Sequence, residues 1–281
     1  TVMGMYQQTG GEIIFNGKTI TPKTKGRSKE FRREAQIVFQ DPGSSLNPYQ
    51  DVRQILSLPL KVHNIVPKNE IEDKILEILE MVELPPDFMY KSPNSIGGGE
   101  RQLVSIARAL CSDPKFIILD EPTVGLDPKQ IIEIRELIRE LAKDHTVILS
   151  SHILAEIREV CDYIIIISQG KLVASDTPEN LERQFAGNEP VEIETRLLPE
   201  RTEEILSGIS GIQKVTYLSG DPGITKAVIE TDEDTDIREE VFQAFAREDC
   251  SLISMYKKQH TLEDIFLRLT QEGGRPHAGN L

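Results

Sequence analysis

The sequence predicts an α/β fold with a mainly parallel sheet, followed by a small ferredoxin-like α+β domain. Short apolar runs typical of buried strands alternate with segments of helical periodicity as far as about residue 186. The order changes near Gly187–Pro190, after which the pattern is strand, helix, strand, strand, helix, strand. A chain of 281 residues is long enough for two separate cores. We therefore expect domains over residues 1–186 and 187–281.

In the first domain each expected strand is a short apolar run, and each expected helix carries one apolar stripe. Strands are expected over residues 12–17, 35–40, 116–121, 146–151 and 163–168. A helical region is expected over about residues 50–110, and further helices begin at Asp127 and near Leu154. Asp127 is the expected N-cap of its helix, because Pro128 suits the first helical position.

In the second domain no set of catalytic side chains is visible. Strands are expected over residues 191–196, 212–218, 224–231 and 252–257, and helices over 200–206, 237–246 and about 262–269. This order is the split βαβ arrangement of ferredoxin-like domains.

Composition excludes several classes of function. The chain has 32 Lys and Arg against 46 Asp and Glu, and this net charge of −14 argues against non-specific binding of nucleic acid or anionic lipid. Its three cysteines are far apart, so neither a disulfide scaffold nor a zinc site is indicated. The longest apolar runs have the length of strands, and we expect any link to a membrane to be through a partner.

Two neighbouring segments carry groups suited to phosphate chemistry. Gly97, Gly98 and Gly99 open an amphipathic helix, where free N–H groups and the helix dipole favour an anion. Asp120 and Glu121 end a buried strand, and paired acids there suit Mg²⁺ and water activation. The alternative is that the two acids only face solvent.

These segments resemble the nucleotide-binding subunit of ATP-binding cassette (ABC) transporters. Ile96–Gln102 stands in the place of the family's Leu-Ser-Gly-Gly-Gln signature, and Phe116–Glu121 in that of its Walker B strand. The resemblance continues through Gly125–Asp127 and His152 to about residue 185. It implies an incomplete P-loop NTPase domain over residues 1–186, with ATP and Mg²⁺ as cofactors. It also implies ATP hydrolysis coupled to transport, at the inner face of the cell membrane. The partners would be a second ATPase subunit and an integral membrane transporter subunit, with no nucleic acid.

The resemblance also implies a role for each candidate residue. Asp120 and Gln40 would hold Mg²⁺, Glu121 would orient the attacking water as base, and His152 would reach the γ-phosphate. Gln40 and Asp127 complete the expected catalytic set. The other histidines, His63, His145, His260 and His277, are interpreted as ordinary side chains.

Gly97–Glu100 would contact nucleotide bound to the opposite subunit. Gly97 stands where the family has serine, and Glu100 replaces the commoner glutamine. The backbone donors remain while one side-chain donor is lost, which costs about 1–2 kcal/mol of phosphate binding.

The two halves resemble different subfamilies. The segment Phe39–Pro48 is similar to the corresponding loop of peptide and nickel importer ATPases, whereas Thr261–Phe266 and the tail around it are similar to ATPases of exporters. The direction of transport stays open at this point.

The phosphate-binding loop G-x-x-x-x-G-K-[ST] does not occur in these 281 residues. Gly10-Gly11 matches the family's turn downstream of that loop, so we expect the chain to start inside a domain and to bind Mg-ATP poorly without turning it over. A natural regulatory half-domain is the alternative to truncation. Two rival hypotheses for the function stay open, namely a soluble ABC ATPase of translation or DNA repair and a non-catalytic binding module built on the tail.

Overall fold

A computed structural model describes residues 1–185, 190–218, 222–231, 236–257 and 262–271. The chain divides into two compact units, Thr1–Val160 and Cys161–Leu281. Among the described residues, none of the helices has the length and apolar character needed to span a bilayer. The described residues exclude His260, His277 and all of the candidate linker Gly187–Pro190 except Pro190.

The first unit begins with a β-hairpin that packs on a short helix. Strands β1 (Ile13–Phe15) and β2 (Lys18–Ile20) pair antiparallel. Asn16 and Gly17 between them have φ of 47° and 71°, the two positive angles that a tight two-residue hairpin turn requires. Helix α1 (Lys29–Glu34) follows, and the Phe15 and Phe31 rings lie 4.7 Å apart.

A three-stranded parallel sheet forms the centre of this unit. Its order is β3 (Ala35–Val38), β4 (Phe116–Asp120), β5 (Thr146–Ser150). The register places Val38 opposite Leu119 and Asp120 opposite Ser150. The carboxyl ends of the three strands therefore meet at one edge of the sheet.

Helices connect β3 to β4, in the region where the periodicity predicts them. They are α2 (Pro42–Ser45), α3 (Val52–His63), α4 (Ile71–Met81) and α5 (Gly98–Leu110), with short 3₁₀ turns at 68–70, 86–90 and 93–95. Leu56, Leu60 and Ile75 are fully buried, and they share one core with Ile117 and Leu119 of β4. Because helices and sheet share a core, the edge of the sheet has a rigid support.

The remaining helices of the unit follow β4 and β5. Helix α6 (Pro128–Leu141) begins after Asp127, whose carboxylate accepts hydrogen bonds from the backbone N–H groups of Lys129 and Gln130, each at 3.0 Å. This confirms the expected N-cap. Helix α7 (Leu154–Val160) follows β5.

The second unit begins with a feature that the sequence analysis did not predict. Strand β6 (Ile164–Ser168) pairs antiparallel with β7 (Lys171–Asp176), and helix α8 (Pro178–Phe185) follows. The alternating pattern predicted β6 as part of the parallel sheet, and that prediction is wrong for the described residues. The reason is local, because Gln169 and Gly170 both have positive φ and turn the chain back at once.

The ferredoxin-like arrangement is confirmed. Its elements are β8 (Val191–Thr195), α9 (Pro199–Leu206), β9 (Ile212–Leu218), β10 (Thr225–Thr231), α10 (Arg238–Arg247), β11 (Leu252–Lys257) and α11 (Leu262–Gln271). The sheet has the order β11-β8-β10-β9, and every pair is antiparallel. Ile193, Val241 and Phe245 form the centre of its core.

The compact second unit starts earlier than the expected domain boundary at residue 187. Helix α8 packs against α11, and Leu181, Leu262 and Ile265 are buried. This packing places residues 161–185 with the tail. Independent folding of residues 187–281 stays a prediction.

Candidate active site

The two acids at the end of β4 are held by the neighbouring strand β5. The Ser150 hydroxyl donates to Asp120 Oδ1 at 2.6 Å. The Glu121 backbone N–H donates to the Ser150 carbonyl at 3.1 Å and contacts its hydroxyl at 3.2 Å. Since Ser150 lies directly opposite Asp120 in the parallel register, the end of β5 fixes both acids.

Glu121 has a left-handed backbone, with φ of 46°. Such a conformation is costly for a residue with a Cβ, and it persists where surrounding bonds hold it. Here the carboxylate contacts His152 twice, at 2.8 Å from Nδ1 and 3.3 Å from the backbone N–H. The Glu121 side chain is 20% exposed and that of His152 is 67% exposed.

The Glu121–His152 contact decides what the imidazole can donate. With Nδ1–H directed to the carboxylate, Nε2 has no partner among the described residues. A neutral ring in this tautomer accepts at Nε2, whereas an imidazolium donates there. The pair therefore shares the Nδ1 proton with the Glu121 carboxylate, and Nε2 remains available to another group.

Gln40 lies at the same edge without touching the acids. It is exposed and follows β3 by two residues, and no hydrogen bond joins it to Asp120 or Glu121 in the described part of the chain. The described residues also contain no cluster of three His, Cys, Asp or Glu able to hold a metal ion by itself. One carboxylate, one hydroxyl and one amide fit Mg²⁺, which keeps several waters and takes further oxygens from phosphates.

The glycine turn forms a second group of candidate residues. Gly97 is the N-cap of α5, and Glu100 Oε2 accepts a hydrogen bond from the Gly97 N–H at 2.5 Å. This carboxylate uses one of the backbone donors that an anion would need. A Cβ at position 97 would lie 3.3 Å from Glu100 Oε2, so a serine there would require a small movement of Glu100.

The turn is linked to α6 through Gly99. A Cβ at Gly99 would lie 2.5 Å from Cδ of Gln130, so any other residue would displace that side chain. Gln130 Oε1 accepts from the Asp127 N–H at 3.4 Å and completes the cap of α6. Within the described residues, no hydrogen bond joins Gly97–Glu100 to Asp120, Glu121 or His152.

Sequence reasoning missed two partners of the candidate residues, Ser150 and Gln130, and one buried acid, Glu156. Ser150 could have been found from the parallel register of two strands that end together. Gln130 has the spacing of a capping box, Asp127-x-x-Gln130. Glu156 is buried in α7, and a single acid on a short helix gives no such signal.

Comparisons with known proteins find similar sequences and structures. The family model described as "ABC transporter" matches residues 1–124, and an AAA domain model matches residues 93–158. The oligopeptide transport ATP-binding protein OppF of Bacillus subtilis (strain 168) is 37% identical over 178 residues, covering 62% of this chain and 58% of the relative. Residues 1–124 match the nucleotide-binding domain of ABC transporters.

Further matches to this nucleotide-binding domain come from sequence and from solved structures. OppF of Streptococcus mutans is 36% identical over 184 residues, covering 64% of this chain and 59% of that protein. CbiO1 from Clostridium perfringens, part of the ABC transporter complex cbiONQ, has a TM-score of 0.57 at 28% identity, with 66% and 72% of the two chains covered. The dimeric ATP-binding cassette MJ0796 bound to ADP and Pi has a TM-score of 0.51 at 27% identity, with 60% and 74% covered.

The fold and family expectations are confirmed by these matches. The chain spans less than two thirds of the length of both OppF relatives. The activity, substrate and partners of the whole protein therefore belong to the proposal that follows.

Proposed function

We propose that this nucleotide-binding domain binds and hydrolyses ATP and thereby powers transport through a membrane partner. The observation that carries the proposal is the contact of Glu121 with His152, beside Asp120 and Ser150 at the carboxyl edge of the parallel sheet. Hydrolysis of a γ-phosphate depends mainly on positioning and charge stabilisation, and this edge offers both.

Each residue at the edge would have a distinct task. Bound Mg²⁺ would neutralise the charge of the β- and γ-phosphates, with Asp120 and Gln40 as the residues that hold it. Glu121 would accept the proton of the attacking water. As an imidazolium, His152 would donate a hydrogen bond from Nε2 to the γ-phosphate, while its Nδ1 bond to Glu121 orients the ring.

The glycine turn would take part in a two-subunit site. Its Gly97 and Gly98 would contact nucleotide held by a second ATPase subunit, and Asp127 would complete the catalytic set. The relative MJ0796 forms a dimer in its ADP- and Pi-bound state, which supports the same arrangement.

The nucleotide needs a phosphate-binding loop that these 281 residues do not contain. A G-x-x-x-x-G-K-[ST] loop cradles the β- and γ-phosphates with its N–H groups and lysine. We propose that such a loop is supplied from outside the 281 residues and completes the site.

The membrane partner would dock on the exposed surface near Gln40. Tyr49, Leu58 and Val62 are exposed apolar side chains in the loop after β3 and on α3. The names of the OppF relatives support oligopeptide transport as the process, at the inner face of the cell membrane.

The test compares this chain alone with the chain joined to the phosphate-loop segment of an ABC ATP-binding protein. Equilibrium dialysis should show weak Mg-ATP binding for the chain alone and tight binding, with turnover, for the joined protein. His152→Ala should lower turnover of the joined protein by at least about 100-fold. His145→Ala is the matched control, because His145 lies at the other end of β5 and contacts the Pro114 carbonyl.

Two results would contradict the proposal. Micromolar ATP affinity of the 281 residues alone would show that no added loop is needed. Equal turnover of the His152→Ala and His145→Ala proteins would remove His152 from the reaction.

A further inference from the structure

A buried polar contact lies directly behind the candidate site. Thr123 Oγ1 donates to Glu156 Oε2 at 2.6 Å, and both side chains belong to residues that are only 4% exposed. Thr123 follows Glu121 by two residues on the β4 side. Glu156 follows His152 by four residues on the β5 side.

A third segment completes this contact. Arg135 of α6 lies 3.6 Å from Glu156 and also pairs with Glu159 at 2.5 Å. An ionised carboxylate so deeply buried is costly unless it is paired and hydrogen-bonded. Glu156 therefore ties together the three segments that carry Glu121, Asp127 and His152.

We propose that Glu156 is a positioning residue that holds Glu121 and His152 in contact. This inference rests on the proposed function for its biological meaning, although the contact itself can be measured without hydrolysis. Bonds on both sides restrain the loop after β4: Ser150 holds the Glu121 backbone, and Glu156 holds Thr123. Loss of the second bond leaves the left-handed backbone of Glu121 with less support.

Two acids, Glu156 and Glu159, share Arg135, and only the buried Glu156 is expected to hold the site. Glu159 also pairs with Arg135, but its side chain is 54% exposed, and exposed ion pairs contribute little. Removing the charge of Glu159 should leave the Glu121–His152 contact unchanged, whereas removing the buried bond should weaken it. If instead the pairing with Arg135 held Glu121 and His152 together, the loss of either Glu156 or Glu159 would weaken their contact.

The experiment records the ring ¹⁵N resonances of His152 in the 281-residue chain by NMR at one fixed pH. Glu121→Gln provides the reference shift for a ring that has lost its carboxylate. Thr123→Val should move the His152 resonances at least half of the way to that reference. Thr123→Ser, which keeps the hydroxyl, and Glu159→Gln should stay at the wild-type position.

A second variant covers the case in which Thr123→Val fails to fold, as judged by its thermal melt. Glu156→Leu removes the oxygen that accepts from Thr123, and it should give a shift in the same direction. Wild-type His152 resonances in a folded Thr123→Val or Glu156→Leu protein would overturn the proposal. An unchanged spectrum in Glu121→Gln would also overturn it, because the contact would then be absent in solution. A failure of ATP hydrolysis would count against the proposed function alone.

Discussion

The parallel sheet and the ferredoxin-like sheet place their acidic residues in different surroundings. At the edge of the parallel sheet, Asp120 and Glu121 are bonded to a hydroxyl and an imidazole. On the ferredoxin-like sheet, Glu194 pairs with Lys226 at 2.5 Å, and Glu230 pairs with Lys214 at 3.5 Å.

The difference indicates which acids can do chemistry. A carboxylate bonded to Ser or His keeps its charge available to a metal ion or a water molecule. A carboxylate opposite a lysine on the next strand is already neutralised, and such cross-strand pairs stabilise the sheet. In agreement with this, hydrogen bonding to Lys226 lowers the pKa of Glu194.

The first prediction compares ATP turnover after one carboxylate is neutralised at each sheet, and it has the largest expected effect. In the protein joined to a phosphate loop, Glu121→Gln should lower ATP turnover by about 10²–10⁴-fold, since the amide cannot accept a proton. ATP binding should remain, as dialysis would show. Glu194→Gln should leave turnover unchanged. Similar losses in the two variants would mean that turnover reports general damage and not the chemistry of Glu121.

The second prediction concerns how far the ferredoxin-like unit extends. We expect residues 187–281 to melt cooperatively alone, and residues 161–281 to be more stable by about 2 kcal/mol or more. The reason is that α8 packs against α11 and its Leu181 is fully buried. Thermal melts should then differ by roughly 10 °C. Leu181→Ala in residues 161–281 should reproduce part of the loss, and identical melting curves for all three would disprove the packing argument.

The third prediction compares two adjacent glycines of the signature turn. Gly99→Ala should destabilise the protein by about 1 kcal/mol, because Gln130 must leave its position in the cap of α6. Gly98→Ala meets nothing within 4 Å and should change stability by less than about 0.5 kcal/mol. Urea denaturation of both variants measures the difference. Equal stabilities of the two variants would show that the close approach of Gly99 to Gln130 does not contribute to stability.

The smallest effect is expected for a surface acid of the second unit. A hydrogen bond from Arg238 lowers the pKa of Asp236 from 3.8 to about 2. A lowered folded-state pKa stabilises the fold above the unfolded value of 3.8, and this contribution is lost as the pH falls through about 2. Asp236→Asn should therefore destabilise the protein at pH 7 by less than about 1 kcal/mol, since the side chain is half exposed. Denaturation curves at pH 7 and pH 2 should show the difference disappearing at the lower pH. A constant difference would assign the effect to something other than this charge.

Local patterns predicted much of the fold. The apolar runs at Phe116–Leu119 and Thr146–Leu149 became neighbouring parallel strands, and Asp127-Pro128 became a helix start. These signals are short-range, since they depend on side-chain alternation and on capping chemistry. The turn at Gln169-Gly170 carries the same kind of signal, and the hairpin β6–β7 depends on it.

The candidate site could be predicted only in part, because its supporting contacts join residues that are far apart in the chain. Asp120, Glu121 and His152 were recognisable by type and order, and the structure brings them together. Ser150 lies 30 residues from Asp120, and Glu156 lies 33 residues from Thr123. Contacts at that separation depend on strand register and helix packing, which no local pattern specifies.

The carboxylate of Glu100 has a consequence for how the glycine turn would recognise phosphate. Because Glu100 already accepts from the Gly97 N–H, docking of an anion at this turn is an exchange of ligands and not a simple addition. The free energy of docking then includes the cost of breaking that bond and of bringing two negative groups together. Salt screens the second cost, so association through this turn should weaken less with ionic strength than association through a turn without the acid.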